Sequence, residues 1–192
     1  MGSSRSSLSL VPDGQQLLQE TGFSAAHLLR LHERFRFLDK HGRGHLRSED
    51  LEAELSLNPI GDRIVGAFFQ PGQEAVDFPS FVRVLAHFRP MEKNRTCAAV
   101  QPERANSRNR KLKFAFQLYD RDRDGKISRT ELLQVLREML GLQVTEEQLQ
   151  SIAERGIQEA DLDRDDAICF DEFRKSLEKV NIDQKMSVRF LE

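Results

Sequence analysis

Asp120-Arg-Asp122-Arg-Asp124-Gly125-Lys126-Ile127-Ser128-Arg-Thr130-Glu131 is the stretch on which the fold turns. It meets the pattern D-x-[DN]-x-[DN]-G-x5-E without a mismatch, and each constrained place has a physical reason. Ca²⁺ takes about six to eight hard oxygens in a flexible sphere. Asp120, Asp122 and Asp124 supply carboxylates and the Lys126 main-chain carbonyl supplies a further oxygen. Ser128 holds a bridging water, and Glu131 closes the sphere with both oxygens from the next helix. Gly125 permits the positive φ that turns the chain back around the ion. Phe116 and Tyr119 before the loop and Leu132 after it are apolar flanks, so the unit reads helix, loop, helix.

The template recurs along the chain. Asp161-Leu-Asp163-Arg-Asp165-Asp166-Ala167-Ile168-Cys169-Phe170-Asp171-Glu172 keeps all four carboxylates, Asp161, Asp163, Asp165 and Glu172, with the carbonyl of Ala167. Asp166 stands in the glycine position, at a cost of about 1 kcal/mol for a left-handed backbone. Cys169 replaces the usual oxygen side chain, a soft donor where a hard one is needed. Two worn copies begin at Asp39 and at Phe69. The first has His41 and Arg43 at carboxylate positions, and the second has no acid at its first three coordinating places, so neither should bind Ca²⁺. A transition-metal site from Asp39, His41 and His45 is the alternative for the first, but nothing fixes the imidazole rings.

This is the plan of the EF-hand. The expected fold is all-α, with four helix-loop-helix units in two paired lobes and short β-bridges between paired loops, Ile127 pairing with its counterpart. Residues 1–14 read as a flexible arm, 15–90 as an N-terminal lobe of two degenerate hands and 91–110 as a linker. Residues 111–180 read as a C-terminal lobe of two Ca²⁺-binding hands, and 181–192 as a tail. Ser24 is placed to cap a helix whose Leu28, Leu31, Phe35 and Leu38 share one face. Asn58-Pro59 is expected to open the helix carrying Ile64, Val65 and Phe68. Thr145-Glu-Glu-Gln148 is a capping box before Leu149, Ile152, Ala153 and Ile157.

Composition narrows the function. The chain has 192 residues, 39% hydrophobic and 31% charged, which suits a globular protein. Its 29 basic and 31 acidic residues leave no global basic field for nucleic acid. No apolar run would span a membrane or serve as a signal peptide, so a cytosolic protein is expected. Cys97 and Cys169 lack CxxC spacing, no histidine lies near either in sequence, and no glycine loop is built to cradle phosphate, so no enzyme is expected. Thirteen Phe, one Tyr and no Trp point to an apolar interior or groove with few polar handles. Such a groove would receive an amphipathic helix, with Phe35, Phe68, Phe81, Phe114, Leu118 and Met139 as candidate walls. Val188, Phe190 and Leu191 are placed to cap it when empty.

Met1-Gly2-Ser3-Ser4-Arg5-Ser6 matches the signal for N-myristoylation of Gly2. One acyl chain gives only reversible membrane attachment, so a second contact is required. Arg104, Arg108, Arg110, Lys111 and Lys113 form either a lipid-attracting cluster or a solvated linker face. Val135-Leu136-x-x-Met139-Leu140-x-Leu142 and Leu177-x-x-Val180-x-Ile182 have the spacing of leucine-rich export signals, and equally of core-facing helices.

Together these residues resemble the calcineurin B homologous proteins. The likeness runs through Asn58-Pro-Ile-Gly-Asp-Arg-Ile64, Val84-Leu-Ala-His-Phe-Arg-Pro90, Glu131-Leu-Leu-Gln-Val-Leu136, Leu177-Glu-Lys-Val180 and Gln184-Lys-Met-Ser187. Leu28-Leu-Arg-Leu-His32 and Gly141-Leu-Gln-Val-Thr-Glu-Glu-Gln-Leu149 are most similar to the family's second isoform. The resemblance implies two silent N-terminal hands, two C-terminal Ca²⁺ ions and a myristoyl group on Gly2. It implies an obligate subunit that holds the cytoplasmic juxtamembrane amphipathic helix of plasma-membrane Na⁺/H⁺ exchangers and supports their activity and pH regulation. It places the protein in the cytoplasm and at the cytoplasmic face of the plasma membrane, with passage through the nucleus if the export signals operate. Calcineurin B has a similar plan, so regulation of the calcineurin catalytic subunit is the alternative, with a soluble Ca²⁺ sensor or buffer as the third reading.

Overall fold

A computed structural model describes residues 8–69, 72–90, 103–141 and 143–186. In chain order, the first half carries α1 (Gly14–Thr21), α2 (Ala25–Leu38), β1 (His45–Leu46), α3 (Ser48–Leu55), α4 (Gly61–Gly66), β2 (Val76–Asp77) and α5 (Phe78–Ala86). The second half carries α6 (Arg108–Tyr119), β3 (Lys126–Ser128), α7 (Arg129–Leu140), α8 (Glu146–Ala160), β4 (Ala167–Cys169), α9 (Phe170–Ser176) and α10 (Ile182–Lys185). The fold is all-α apart from two small antiparallel bridges. In each bridge the eighth loop residues face one another, Leu46 opposite Val76 and Ile127 opposite Ile168. All four side chains are buried, so each pair of loops is joined across an apolar contact.

Helix boundaries follow local chemistry. The Ser24 hydroxyl accepts from the His27 N–H (3.3 Å), and α2 buries Leu28, Leu31, Phe35 and Leu38. Thr145 and Gln148 cap α8 reciprocally (3.3 and 2.8 Å). Leu149, Ala153 and Ile157 turn inward there, but Ile152, expected on the same face, is 43% exposed. The opening of α4 also differs from expectation. Asn58 accepts from Ile60 N–H through its side chain (3.0 Å) and from Gly61 N–H through its carbonyl (2.9 Å). Asn58 and Pro59 therefore build a turn, and the helix starts only at Gly61. A Cβ at Gly61 would lie 2.5 Å from the Leu55 carbonyl oxygen, which makes glycine the residue that fits.

Aromatic edges organise both cores. In the N-terminal lobe Phe35 meets Phe78 and Phe81 edge to face, each at 5.5 Å, and Phe68 stacks on Phe81 at 5.6 Å. In the C-terminal lobe Phe116 meets Phe170 (5.6 Å) and Phe173 (5.5 Å) beside Ile127, Ile157 and Ile168. Leu8 and Val11 are already buried in the N-terminal core, so the arm expected over residues 1–14 is packed from residue 8 onward. The segment expected as a tail begins with a docked helix: Ile182 is buried and Asp183 pairs with Lys111 at 2.7 Å. Lys111 is fully buried, not part of a solvated or lipid-facing surface, and α6 already starts at Arg108 with Ser107 as its cap.

The lobes meet through α4 and α6. Arg63 of α4 donates to both oxygens of Glu138 on α7 (2.5 and 3.0 Å) and to the Leu118 carbonyl on α6 (2.9 Å). Phe114 of α6 packs against His87 (5.3 Å) and Phe88 (5.1 Å), which follow α5. No helix among the described residues is long and apolar enough to cross a membrane.

Candidate metal centres and docking cleft

The loops form because each is closed by its own first and last carboxylates. Asp120 ends α6, its N–H donating to the Phe116 carbonyl (3.0 Å). One of its oxygens, Oδ2, accepts from Gly125 N–H (3.1 Å), folding the loop back at Gly125, where φ is +89°. Glu131 closes the other end: Oε2 accepts from Ser128 N–H and hydroxyl (2.9 and 2.8 Å), Oε1 from Arg121 N–H (2.7 Å). The loop at 161–172 repeats this arrangement. Asp166 N–H donates to Asp161 Oδ2 (2.9 Å), and Cys169 and Leu162 N–H donate to Glu172 (2.8 and 2.7 Å). Asp166 adopts φ +65°, the left-handed conformation expected in place of glycine. Arg123 and Arg164 are also left-handed, at +60° and +63°, which no local sequence signal announced.

These closures gather the acids. Ligand oxygens of Asp120, Asp122 and Asp124 lie within 4.8 Å of one another, as do those of Asp161, Asp163 and Asp165. Mutual repulsion is visible in their titration. Burial, with the charges of Glu131 and Asp124, pushes Asp120 above the ordinary carboxylate range, although Gly125 N–H opposes it. Burial, with the charges of Asp165 and Glu172, does the same to Asp163. Burial would raise Glu131 and Glu172 too, but converging N–H donors outweigh it, and Glu172 falls to about 2. Asp120 Oδ1 is buried with no hydrogen-bond partner among the described residues. A buried oxygen with no donor, beside two further carboxylates and an ionised glutamate, fits a hard divalent cation. Asp120, Asp122, Asp124, the Lys126 carbonyl and Glu131 would hold one Ca²⁺. Asp161, Asp163, Asp165, the Ala167 carbonyl and Glu172 would hold another. Bound Ca²⁺ supplies positive charge that draws the incoming and outgoing helices to a fixed angle.

The remaining expected residues divide. Phe35, Phe68 and Phe81 are core, 3%, 8% and 4% exposed, because their rings face one another within the N-terminal lobe. Phe114, Leu118 and Met139 do line an apolar cleft of about 340 Å³ between the lobes, with Ile60, Ile64, Phe88, Ala115, Tyr119 and Val135. Arg63, Lys185 and Met186 stand at the same cleft. Its walls are the end of α6 and the face of α7, the two helices that enter and leave the loop at 120–131. Gly2, Cys97, Leu142, Val188, Phe190 and Leu191 lie outside the described residues. Arg63 and Lys111 were missed as structural cations. A helical-period count placing Lys111 in line with Phe114 and Leu118 would have put it on the inward side.

Comparison with known proteins adds the family. A model described as an EF-hand domain pair matches residues 109–178. The calcineurin B regulatory chain of Naegleria gruberi is 35% identical over 98% of this chain and 99% of its own. Calcineurin B homologous protein 3 of Gallus gallus is 34% identical over all of this chain and 96% of its own. The chain belongs to the calcineurin B and calcineurin B homologous protein family. The type 1 calcineurin B chain of Dictyostelium discoideum, 36% identical over 93% of each chain, supports the same assignment. As a calcineurin B family protein with EF-hands it is a calcium-binding regulatory protein, and the two acidic loops fall inside the matched domain pair.

Proposed function

We propose that the chain is a non-enzymatic regulatory subunit that binds two Ca²⁺ ions and holds an amphipathic target helix in the interlobe cleft. The observation that carries this reading is the cleft's construction. Leu118 lies two residues before the first calcium ligand on α6, and Val135 and Met139 lie on the helix that Glu131 begins. A cation drawing Glu131 toward Asp120 sets the spacing of these walls, so metal binding and helix capture share one element. An apolar, open, few-handled cleft suits i, i+3, i+4, i+7 anchors of a helix.

The target we propose is the cytoplasmic juxtamembrane helix of a plasma-membrane Na⁺/H⁺ exchanger, with Gly2 myristoylated and the protein held at the cytoplasmic membrane face. The likeness of residues 58–64, 84–90 and 131–136 to the calcineurin B homologous proteins, most of all their second isoform, supports it, as do the two N-terminal loops without calcium ligands. The calcineurin catalytic subunit is the second reading, favoured by the calcineurin B relatives that align with nearly the whole chain.

Fluorescence anisotropy with labelled synthetic helices from the two targets distinguishes them. The exchanger peptide should bind at least tenfold more tightly in Ca²⁺, and Met139→Glu should abolish the preference. Capture of the phosphatase peptide alone would transfer the assignment to the second reading. Calorimetry should saturate at two ions, and Glu131→Gln with Glu172→Gln should remove both. Mass spectrometry of the N-terminal peptide from eukaryotic cells should find the acyl group on Gly2.

A further inference from the structure

The loop at 39–50 lacks calcium ligands, yet it has a calcium loop's backbone. Its fourth and sixth residues, Gly42 and Gly44, are left-handed at φ +62° and +76°, matching Arg123 and Gly125 in one acidic loop and Arg164 and Asp166 in the other. Its sixth N–H donates to the first carboxylate, Gly44 to Asp39 at 2.7 Å, as Gly125 does to Asp120 and Asp166 to Asp161. Its ninth N–H donates to the twelfth carboxylate, Arg47 to Asp50 at 2.9 Å, as Ser128 does to Glu131 and Cys169 to Glu172. Three loops therefore share one closure, and only two have the acids to account for it.

The fifth residue resolves this. Arg43, where the acidic loops carry Asp124 and Asp165, sends its guanidinium between the two carboxylates that remain. Its Nη2 is 2.7 Å from Asp50 Oδ2 and its Nε 3.9 Å from Asp39 Oδ1. Asp39 and Asp50 side chains are 6% and 9% exposed, so the pairing is largely shielded from water. Asp50 is one methylene shorter than the glutamate that closes the other loops, and the long guanidinium fork spans the difference. We infer that Arg43 is the built-in cation of this loop, standing in for an ion and closing the first hand permanently without metal.

The consequence is an asymmetry between lobes. A guanidinium keeps its charge throughout the physiological pH range and cannot dissociate from its own chain. The first hand, joined to the second through Leu46 and Val76, is then insensitive to Ca²⁺, while the acidic loops respond to it. Asp39 agrees: burial would raise its carboxyl, but the Arg43 and Gly44 N–H groups and the Arg43 charge hold it below the usual range. The Arg43 closure does not depend on which helix the cleft receives.

Two variants of the full chain test it. In Arg43→Met, the amides of Gly44 and Arg47 should exchange hydrogen at least tenfold faster than in wild type, with Ca²⁺ or with chelator, while calcium titration is unchanged. Unchanged exchange overturns the inference. His41→Asp/Arg43→Asp/Asp50→Glu replaces the internal cation with carboxylates, and calorimetry should show one more Ca²⁺ than in wild type, with protection restored on binding. A triple variant that takes up no additional ion, folded or not, also overturns it. The wild-type titration run alongside reports the acidic loops separately, so a failure of those sites is recognised as such.

Discussion

Glu172 joins fold stability to the metal site at the scale of a single side chain. It is buried, a condition that disfavours its charge, yet N–H donors from Cys169, Leu162 and Asp163 hold it ionised and lower its pKa to about 2. A carboxyl depressed from the ordinary value of 4.5 contributes stability that is present above that value and lost as pH falls toward 2. In chelator, Glu172→Gln should therefore unfold at lower urea than wild type at pH 7, and the gap should close between pH 4.5 and 2. A gap independent of pH would mean that the charge is not what the donors stabilise. Lys126 makes a second residue-scale case. Its carbonyl is a ligand position in one loop, while its ammonium pairs with Asp165 of the other. That cation must yield to the ion at Asp165. Lys126→Met keeps the carbonyl and should tighten the 161–172 site by up to about fivefold, since exposed pairs are worth about 0.2–1 kcal/mol. The gain should shrink in high salt, and calorimetry at two ionic strengths would show it.

Among the elements, α6 carries the most consequences. Its N-terminal turn sends Arg108 to the carbonyls of Val180 and Leu177 (2.9 and 2.7 Å), and Lys111, one turn later, pairs with Asp183 of α10. Its other end forms the cleft wall and the first calcium ligand. Asp183→Ala should destabilise the protein by about 3 kcal/mol, because a buried ammonium loses its carboxylate. Adding Lys111→Met should recover part of the loss in a urea double-mutant cycle, whereas additive losses would deny the pair any coupling. This contact also marks where sequence reading ends. Loop ligands and the inward face of α2 were legible because their chemistry depends on spacing within a dozen residues. Lys111 meets a partner at position 183, so nothing local announced its burial, and its basic neighbours suggested a solvated face. Phe35, Phe68 and Phe81 had the right chemistry for a groove wall, but an apolar helix face reads the same toward a core as toward a cleft. Arg43 was read correctly as repelling an ion, yet its role as the cation needed the geometry of Asp39 and Asp50.

For the whole molecule, the calcium lobe, the cleft and the N-terminal signal describe a protein that reaches its target by two attachments. A single myristoyl chain binds bilayers at only about 10⁴ M⁻¹, too weakly for stable residence. Helix capture alone would hold the protein wherever its partner lies. When both act, the first contact raises the local concentration of the second, and avidity rises without any new interaction. The two contacts are separable by mutation. Gly2→Ala should weaken partitioning of the free protein onto liposomes and leave its affinity for an isolated target helix unchanged. Met139→Glu, at a side chain 48% exposed and so outside the core, should weaken the helix and spare the liposomes. Leu118→Glu, half-buried on the opposite wall, should repeat the second result if the cleft is the docking surface. Equal loss of both activities in either variant, or loss of neither, would show that acyl chain and cleft do not act as independent contacts. With vesicles carrying the helix, each single variant should retain measurable binding and Gly2→Ala/Met139→Glu should retain almost none, because the remaining contact is then gone as well.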